Sequence, residues 1–215
     1  MRAAADILPG RIVYPSPGQS RVLYPDGDTS DIIRAILYAD RRSGEFVRPG
    51  ATSWLRGSDD YHTLKNIYSF VKYNVRYKAD SLGSEVVQSP AALLQSGVGD
   101  CKSLSVAIAA FCRAMGIPYA FRFIRQSGAP RLHHVFVVAF PRDGSAPRSM
   151  VVLDAVHQRF DAQPAYVQAL DLRPGQRVPA GIRGVTLEST LSLFVLLALL
   201  FIFATPAKRA KRRKS

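Results

Sequence analysis

The chain is poor in cysteine and in acid. Cys101 and Cys112 are its 2 cysteines in 215 residues, and 16 Asp and Glu stand against 29 Lys and Arg, a formal net charge of +13. If both thiols lie on one helix, the eleven steps between them span roughly 16 Å along its axis. That is more than a disulfide bridges, so a disulfide scaffold is excluded and the compartment stays open. Zinc-finger spacing, an RNA-binding aromatic signature and a P-loop are all missing, which leaves nucleic-acid and nucleotide chemistry without a motif. No repeat or low-complexity tract precedes the C-terminal tail. Met1 to Gly10 holds a single Arg and no apolar run, so no cleavable signal peptide is expected.

What is present divides into an arm, a domain, a linker and an apolar segment. Prolines 9, 15, 17 and 25 make the first thirty residues extended or looped. A short helix is expected over Asp31 to Tyr38, capped from Thr29, Ser30 or Asp31, and residues 1–58 read as an arm carrying it. From Asp59 and Asp60 an amphipathic helix follows, with Leu64, Ile67, Tyr68, Val71 and Val75 on one face. Ser89-Pro90 opens a short helical turn through Leu94 that Gly97 and Gly99 break. Asp100 then caps a central helix with Leu104, Ile108, Phe111, Cys112 and Met115 at helical spacing, stopped by Gly116 and Pro118. Strands are expected over Tyr119–Ile124, Leu132–Phe140 and Met150–Val156, the second apolar on both faces and therefore central. Helices first and strands after, on one core, give an α+β domain over residues 59–170.

The chemistry gathers at Cys101. A helix N-terminus favours a thiolate through free N–H groups and the dipole, and the thiolate is the nucleophile. Gly97 and Gly99 would let a substrate approach the backbone closely. Cys112, mid-helix among apolar neighbours, reads as a small buried hydrophobe. Pro141 to Arg148 contains Asp143-Gly144 and reads as a hairpin connection. Centring that hairpin on Gly144 sets His134 directly opposite Asp154, with Cβ atoms about 5 Å apart. The carboxylate would then take the Nδ1 proton and leave Nε2 for the thiol, while His133 points to the other face. An oxyanion hole needs a second donor beside the Cys101 backbone N–H; Gln95 and Gln88 are the side-chain candidates. His62 and His157 have no partner at metal-ligand spacing, so neither a metal nor another cofactor is expected.

These segments resemble the transglutaminase-like superfamily, relatives of papain-type cysteine hydrolases. The likeness lies in VKYNVRYKAD (71–80), QSPAALLQSGVGDCKSLSVAIAAFCRAMGI (88–117), HVFVVA (134–139) and VLDA (152–155), and it is closest to bacterial and phage members. It implies a papain/transglutaminase-like core in which a central Cys-bearing helix packs on an antiparallel sheet. It also implies the roles of a catalytic triad for Cys101, His134 and Asp154. Two departures stand out. Several relatives carry an acid soon after the cysteine, where Lys102, Ser103 and Leu104 follow here, and the lone Trp54 lies too far upstream to be an evident aromatic oxyanion partner.

Residues 189–207 carry no charge and are rich in Leu and Phe. As a helix they span roughly 28 Å, enough for a bilayer core. Residues 171–188 read as the linker before this transmembrane helix. The tail, 208–215, carries Lys208, Arg209, Lys211, Arg212, Arg213 and Lys214 and suits anionic lipid or nucleic acid. The expectation is a single-pass, membrane-anchored cysteine hydrolase acting on amide or peptide bonds of a protein or peptide substrate through a thioester. The side of the membrane is left open. A catalytically inactive scaffold of the same fold, virion-associated in one version, is the alternative.

Overall fold

The computed structural model describes residues 28–44, 47, 52–81 and 85–179. Helix α1 (Thr29–Ser43) is longer than its apolar pattern suggests, because Asp28 caps it in a capping box with Asp31. Its Ile33, Ile36 and Leu37 join the same core as the later helices. Deep in that core Asp40 is fully buried, accepting the Tyr119 hydroxyl at 2.6 Å and paired with Arg113, whose Nη1 also donates to the Asp40 carbonyl at 2.8 Å. Burial raises the Asp40 carboxyl above its ordinary range against the opposing pull of Tyr119 and Arg113.

Helix α2 (Asp60–Asn74) is capped by Asp59 and buries Leu64, Ile67, Tyr68 and Val71, the face its spacing predicts. A two-residue strand β1 (Arg76–Tyr77) leads to α3 (Pro90–Ser96), with Ser89 as cap and Pro90 at the first helical position. Gly97 closes α3 at φ +64°, the left-handed conformation that favours glycine. Next, β2 (Val98–Gly99) pairs in parallel with β1, setting Tyr77 beside Gly99. A Cβ on Gly99 would lie 2.3 Å from Leu93 Cδ1. The glycine therefore serves close packing of α3 under the loop.

Helix α4 (Cys101–Ala114) is buried on every side from Lys102 to Cys112. A helix that is apolar all round needs neighbours all round; α1, α2 and α3 pack on it, and the sheet closes the remaining side. That sheet is antiparallel in the order β5-β4-β3-β6, from β3 (Tyr119–Arg125), β4 (His134–Ala139), β5 (Val151–Leu153) and β6 (Gln168–Leu172). Alternation sends Val135, Val137 and Ala139 toward the helices, and Phe136 and Val138 into a second cluster with Ala120, Ile124 and Val152. β6 is an edge strand that crosses the boundary drawn at residue 170, and its Leu172 is buried in the main core. The expected transmembrane segment 189–207 and basic tail 208–215 lie outside the described residues. Among those described, no helix is long and apolar enough to cross a membrane.

Candidate active site

Cys101 is the first residue of α4, directly after the cap. The Asp100 carboxylate accepts the Ser103 N–H at 3.1 Å, fixing the helix start. Ser105, one turn on, donates to the Cys101 carbonyl at 2.7 Å and lies 3.1 Å from the Val135 carbonyl. That hydroxyl pins the first turn of α4 against β4 next to His134. Both cysteines are free; Cys112 is fully buried, and burial pushes its thiol far up, so it is inert.

His134 is the first residue of β4. Its Nε2 lies 2.7 Å from Asp154 Oδ2, and Cys101 is near enough to act on the ring. Asp154, 2% exposed, stands just past β5, where its Oδ1 accepts the Val156 N–H at 3.1 Å. Two side chains of α2 hold that turn: the Tyr68 hydroxyl donates to the His157 carbonyl at 2.7 Å, and Lys72 Nζ to the Ala155 carbonyl at 2.9 Å. Burial disfavours the charged imidazole, but the Asp154 hydrogen bond and the nearby charges of Asp154 and Cys101 outweigh it. The ring is pushed up to about 9.

The expected geometry needs two corrections. The β4–β5 ladder pairs Val137 with Leu153 and Ala139 with Val151, a register centred on Ser145, not Gly144. Continued one step, it sets Asp154 opposite Phe136, and the carboxylate reaches His134 along the diagonal. The ring is also turned the other way. Nε2 takes the carboxylate, so Nδ1 is the nitrogen left for the thiol.

Lys102 sits in the first turn of α4 with its side chain 8% exposed, a position the helix dipole makes unfavourable for a cation. Three carboxylates compensate: Asp100, Glu85 at 2.6 Å and Asp80 at 3.2 Å. Their oxygens lie within 4.8 Å of one another, close enough to hold a metal ion, and the ammonium contacts all three. The ion pairs tie the Asp80 and Glu85 segments over the helix start.

Neither glutamine candidate lines the cleft that Cys101 and His134 share. The Gln88 amide donates to the Val98 carbonyl at 3.0 Å, which holds the loop before β2, and Gln95 is exposed on α3. Tyr77, which sequence reading passed over, does not line that cleft either but lies near Cys101. Tyr77, paired with Gly99, is close enough for the charge of Cys101 to act on it; burial first and that charge second raise its phenol. The hydroxyl therefore stays a donor. The signal was available in YKAD, but a two-residue strand has no periodicity to display it.

Residues 52–144 match the family model described as the transglutaminase-like superfamily core. The match includes Cys101 and His134 and stops before Asp154. Curated protein sequences give no match. Solved structures with a similar chain path include a provisionally assigned cysteine protease from Cytophaga hutchinsonii, 17% identical with a TM-score of 0.41, where 67% of this chain is covered and 48% of that one. Calcium-bound LapG from Legionella pneumophila is 15% identical with a TM-score of 0.40, covering 74% of this chain and 98% of that one. The chain thus spans about half the length of the Cytophaga protein.

Proposed function

From a chain whose residues 52–144 form a transglutaminase-like core, we propose a cysteine hydrolase that cleaves amide bonds through a thioester on Cys101. The observation that carries this reading is geometric: His134, bonded to the buried Asp154 carboxylate at 2.7 Å, lines one cleft with Cys101 at a helix start, and its raised imidazole agrees with it. An imidazolium persisting above neutrality is the partner a thiolate needs.

In the proposed cycle Cys101 Sγ attacks the carbonyl carbon, and the C=O electron pair moves onto oxygen. The Cys101 backbone N–H and the Tyr77 hydroxyl donate to that oxyanion. As the carbonyl re-forms, the C–N bond breaks and His134 Nδ1 gives its proton to the departing amine. The neutral ring then takes a proton from water, whose oxygen attacks the thioester. The acid leaves, and the sulfur departs as thiolate beside a re-formed imidazolium. Asp154 keeps the ring oriented and favours its charged form throughout. Hydrolysis is preferred to cross-linking because it requires no second substrate site.

Iodoacetamide labelling of the full-length protein, followed by intact mass, tests the pair. Cys101 should react at neutral pH at least tenfold faster in the wild type than in His134→Ala. Equal rates would favour a scaffold that kept the fold without the chemistry.

A further inference from the structure

Asp154 has a second imidazole beside it. His157 Nε2 lies 3.8 Å from Asp154 Oδ2, the same oxygen that His134 Nε2 meets at 2.7 Å. The backbone builds this approach. The chain turns directly after β5, and the His157 N–H donates to the Asp154 carbonyl at 3.0 Å, closing a four-residue turn over 154–157. Asp154 Oδ1 accepts the Val156 N–H within it. From α2 the Tyr68 hydroxyl holds the His157 carbonyl at 2.7 Å, and Lys72 Nζ reaches the Ala155 and Val156 carbonyls at 2.9 and 3.2 Å. Held at its ends and in its middle, the turn sets the side chain of residue 157 beside the carboxylate. Exposure separates the two rings. The Asp154 side chain is 2% exposed and that of His134 14%, against 44% for His157. His157 therefore stands between the carboxylate and solvent. The other charged or titratable groups around it are His134 on β4, Tyr68 and Lys72 on α2, and Arg159 in the same turn.

We propose that His157 is a positioning residue, acting on His134 through the carboxylate oxygen that the two rings share. The inference rests on the assignment of Cys101, His134 and Asp154 as the catalytic triad. While His157 is uncharged, the whole charge of Asp154 serves His134. A proton on His157 places a cation 3.8 Å from the same oxygen. The carboxylate then serves two cations, and its hold on the His134 imidazolium weakens. The coupling is reciprocal, so a charge on His134 makes a charge on His157 harder to place. No bond forms and no proton passes between the rings; Asp154 stays a carboxylate. Imidazole is the side chain whose charge changes most readily near neutrality, so this position links the triad to pH without exposing Asp154 itself. A histidine present only to close the turn would act through its backbone N–H and carbonyl, which any residue supplies here, and the charge of its ring would be silent.

The test is nitrogen NMR of the histidine rings in full-length protein, titrated from about pH 5 to about pH 10, in the wild type, His157→Gln and His157→Lys. Besides its main inflection near pH 9, wild-type His134 should show a smaller one that coincides with the titration of the His157 ring. His157→Gln should remove the smaller inflection and keep the main one. His157→Lys, a fixed cation at the same place, should lower the main inflection by about one pH unit, a tenfold loss of proton affinity. The pH profile of iodoacetamide labelling at Cys101 should move with it. Both substitutions keep the backbone groups that close the turn. Independent titration of the two wild-type rings would overturn the proposal, as would a His134 inflection that the lysine leaves in place. Should the lysine variant fold poorly, the wild-type and glutamine titrations decide it. Equal iodoacetamide rates in the wild type and His134→Ala would instead strike the triad assignment while leaving the ring titrations readable, so the two failures are distinguishable.

Discussion

Asp154 divides its carboxylate between His134 Nε2 at 2.7 Å and the Val156 backbone N–H at 3.1 Å. One oxygen fixes the ring and the other fixes the turn that carries the carboxylate. A consequence for pH follows. The folded imidazole is raised to about 9 from an ordinary 6.5, so the stabilisation it contributes is full below pH 6.5 and is lost as pH rises through 9. The shift corresponds to about 3 kcal/mol at most. Urea unfolding of the wild type should therefore weaken between pH 6.5 and 9, and Asp154→Asn should flatten that slope. A slope unchanged in Asp154→Asn would separate the carboxylate from the titration.

Catalysis on the proposed route should fall over the same upper limb, because amine departure needs the proton on Nδ1. Acylation by a reactive amide should decline above about pH 9, and in Asp154→Asn the decline should begin nearer 6.5. A profile that kept rising through pH 9 in the wild type would remove His134 as the acid.

The Tyr77 hydroxyl can be tested without disturbing the core, since this side chain is 46% exposed. Tyr77→Phe should lower turnover by about 10²-fold, the usual effect of removing one oxyanion donor, with iodoacetamide labelling of Cys101 unchanged. Alkylation forms no oxyanion, so equal loss in both assays would mean that Tyr77 only shapes the loop.

Lys102 gives a prediction of a different kind. Lys102→Met leaves Asp100, 4% exposed, without its buried cation. Breaking such a pair costs about 3 kcal/mol at pH 7. Burial already raises the Asp100 carboxyl, and without the ammonium it would rise further. The folded variant would then bind a proton that the unfolded chain releases, so its deficit should shrink as pH falls toward 5. Urea midpoints at the two pH values check this, and a deficit independent of pH would contradict it.

The elements that were legible in the sequence are those whose caps and periodicity agree. Asp100 before Cys101, then an apolar run closed by Gly116 and Pro118, mark α4 within a residue of its observed bounds. Proximity of His134 and Asp154 was also legible, though by a register that the ladder does not have. Hairpin pairing depends on the turn centre, and a one-residue change in that centre shifts each pairing by two. Strand β6 was hidden because four of its five residues are not buried, so no apolar alternation marks it; its pairing with β3 is what makes it a strand. The β1–β2 bridge, which sets Tyr77 beside Gly99, is set by chain geometry around α3 and not by any local pattern.

The C-terminal segment leads to the last prediction. Residues 189–207 hold no Lys, Arg, Asp or Glu, and six basic residues follow within the last eight. We propose that this segment anchors the protein in a bilayer, because leucine and phenylalanine favour insertion while Ser189, Ser192 and Thr205 oppose it only weakly. The tail would add about 1 kcal/mol per basic residue on an anionic surface. Alkaline carbonate separates the two contributions, stripping surface-bound protein and leaving spanning protein in the pellet. Full-length protein should stay in the pellet. Leu197→Arg, which places a charge near the centre of the segment, should weaken insertion by about 3 kcal/mol on translocon scales and release a measurable fraction. Complete release of the wild type by carbonate would overturn the anchor and leave the segment at most an interfacial helix.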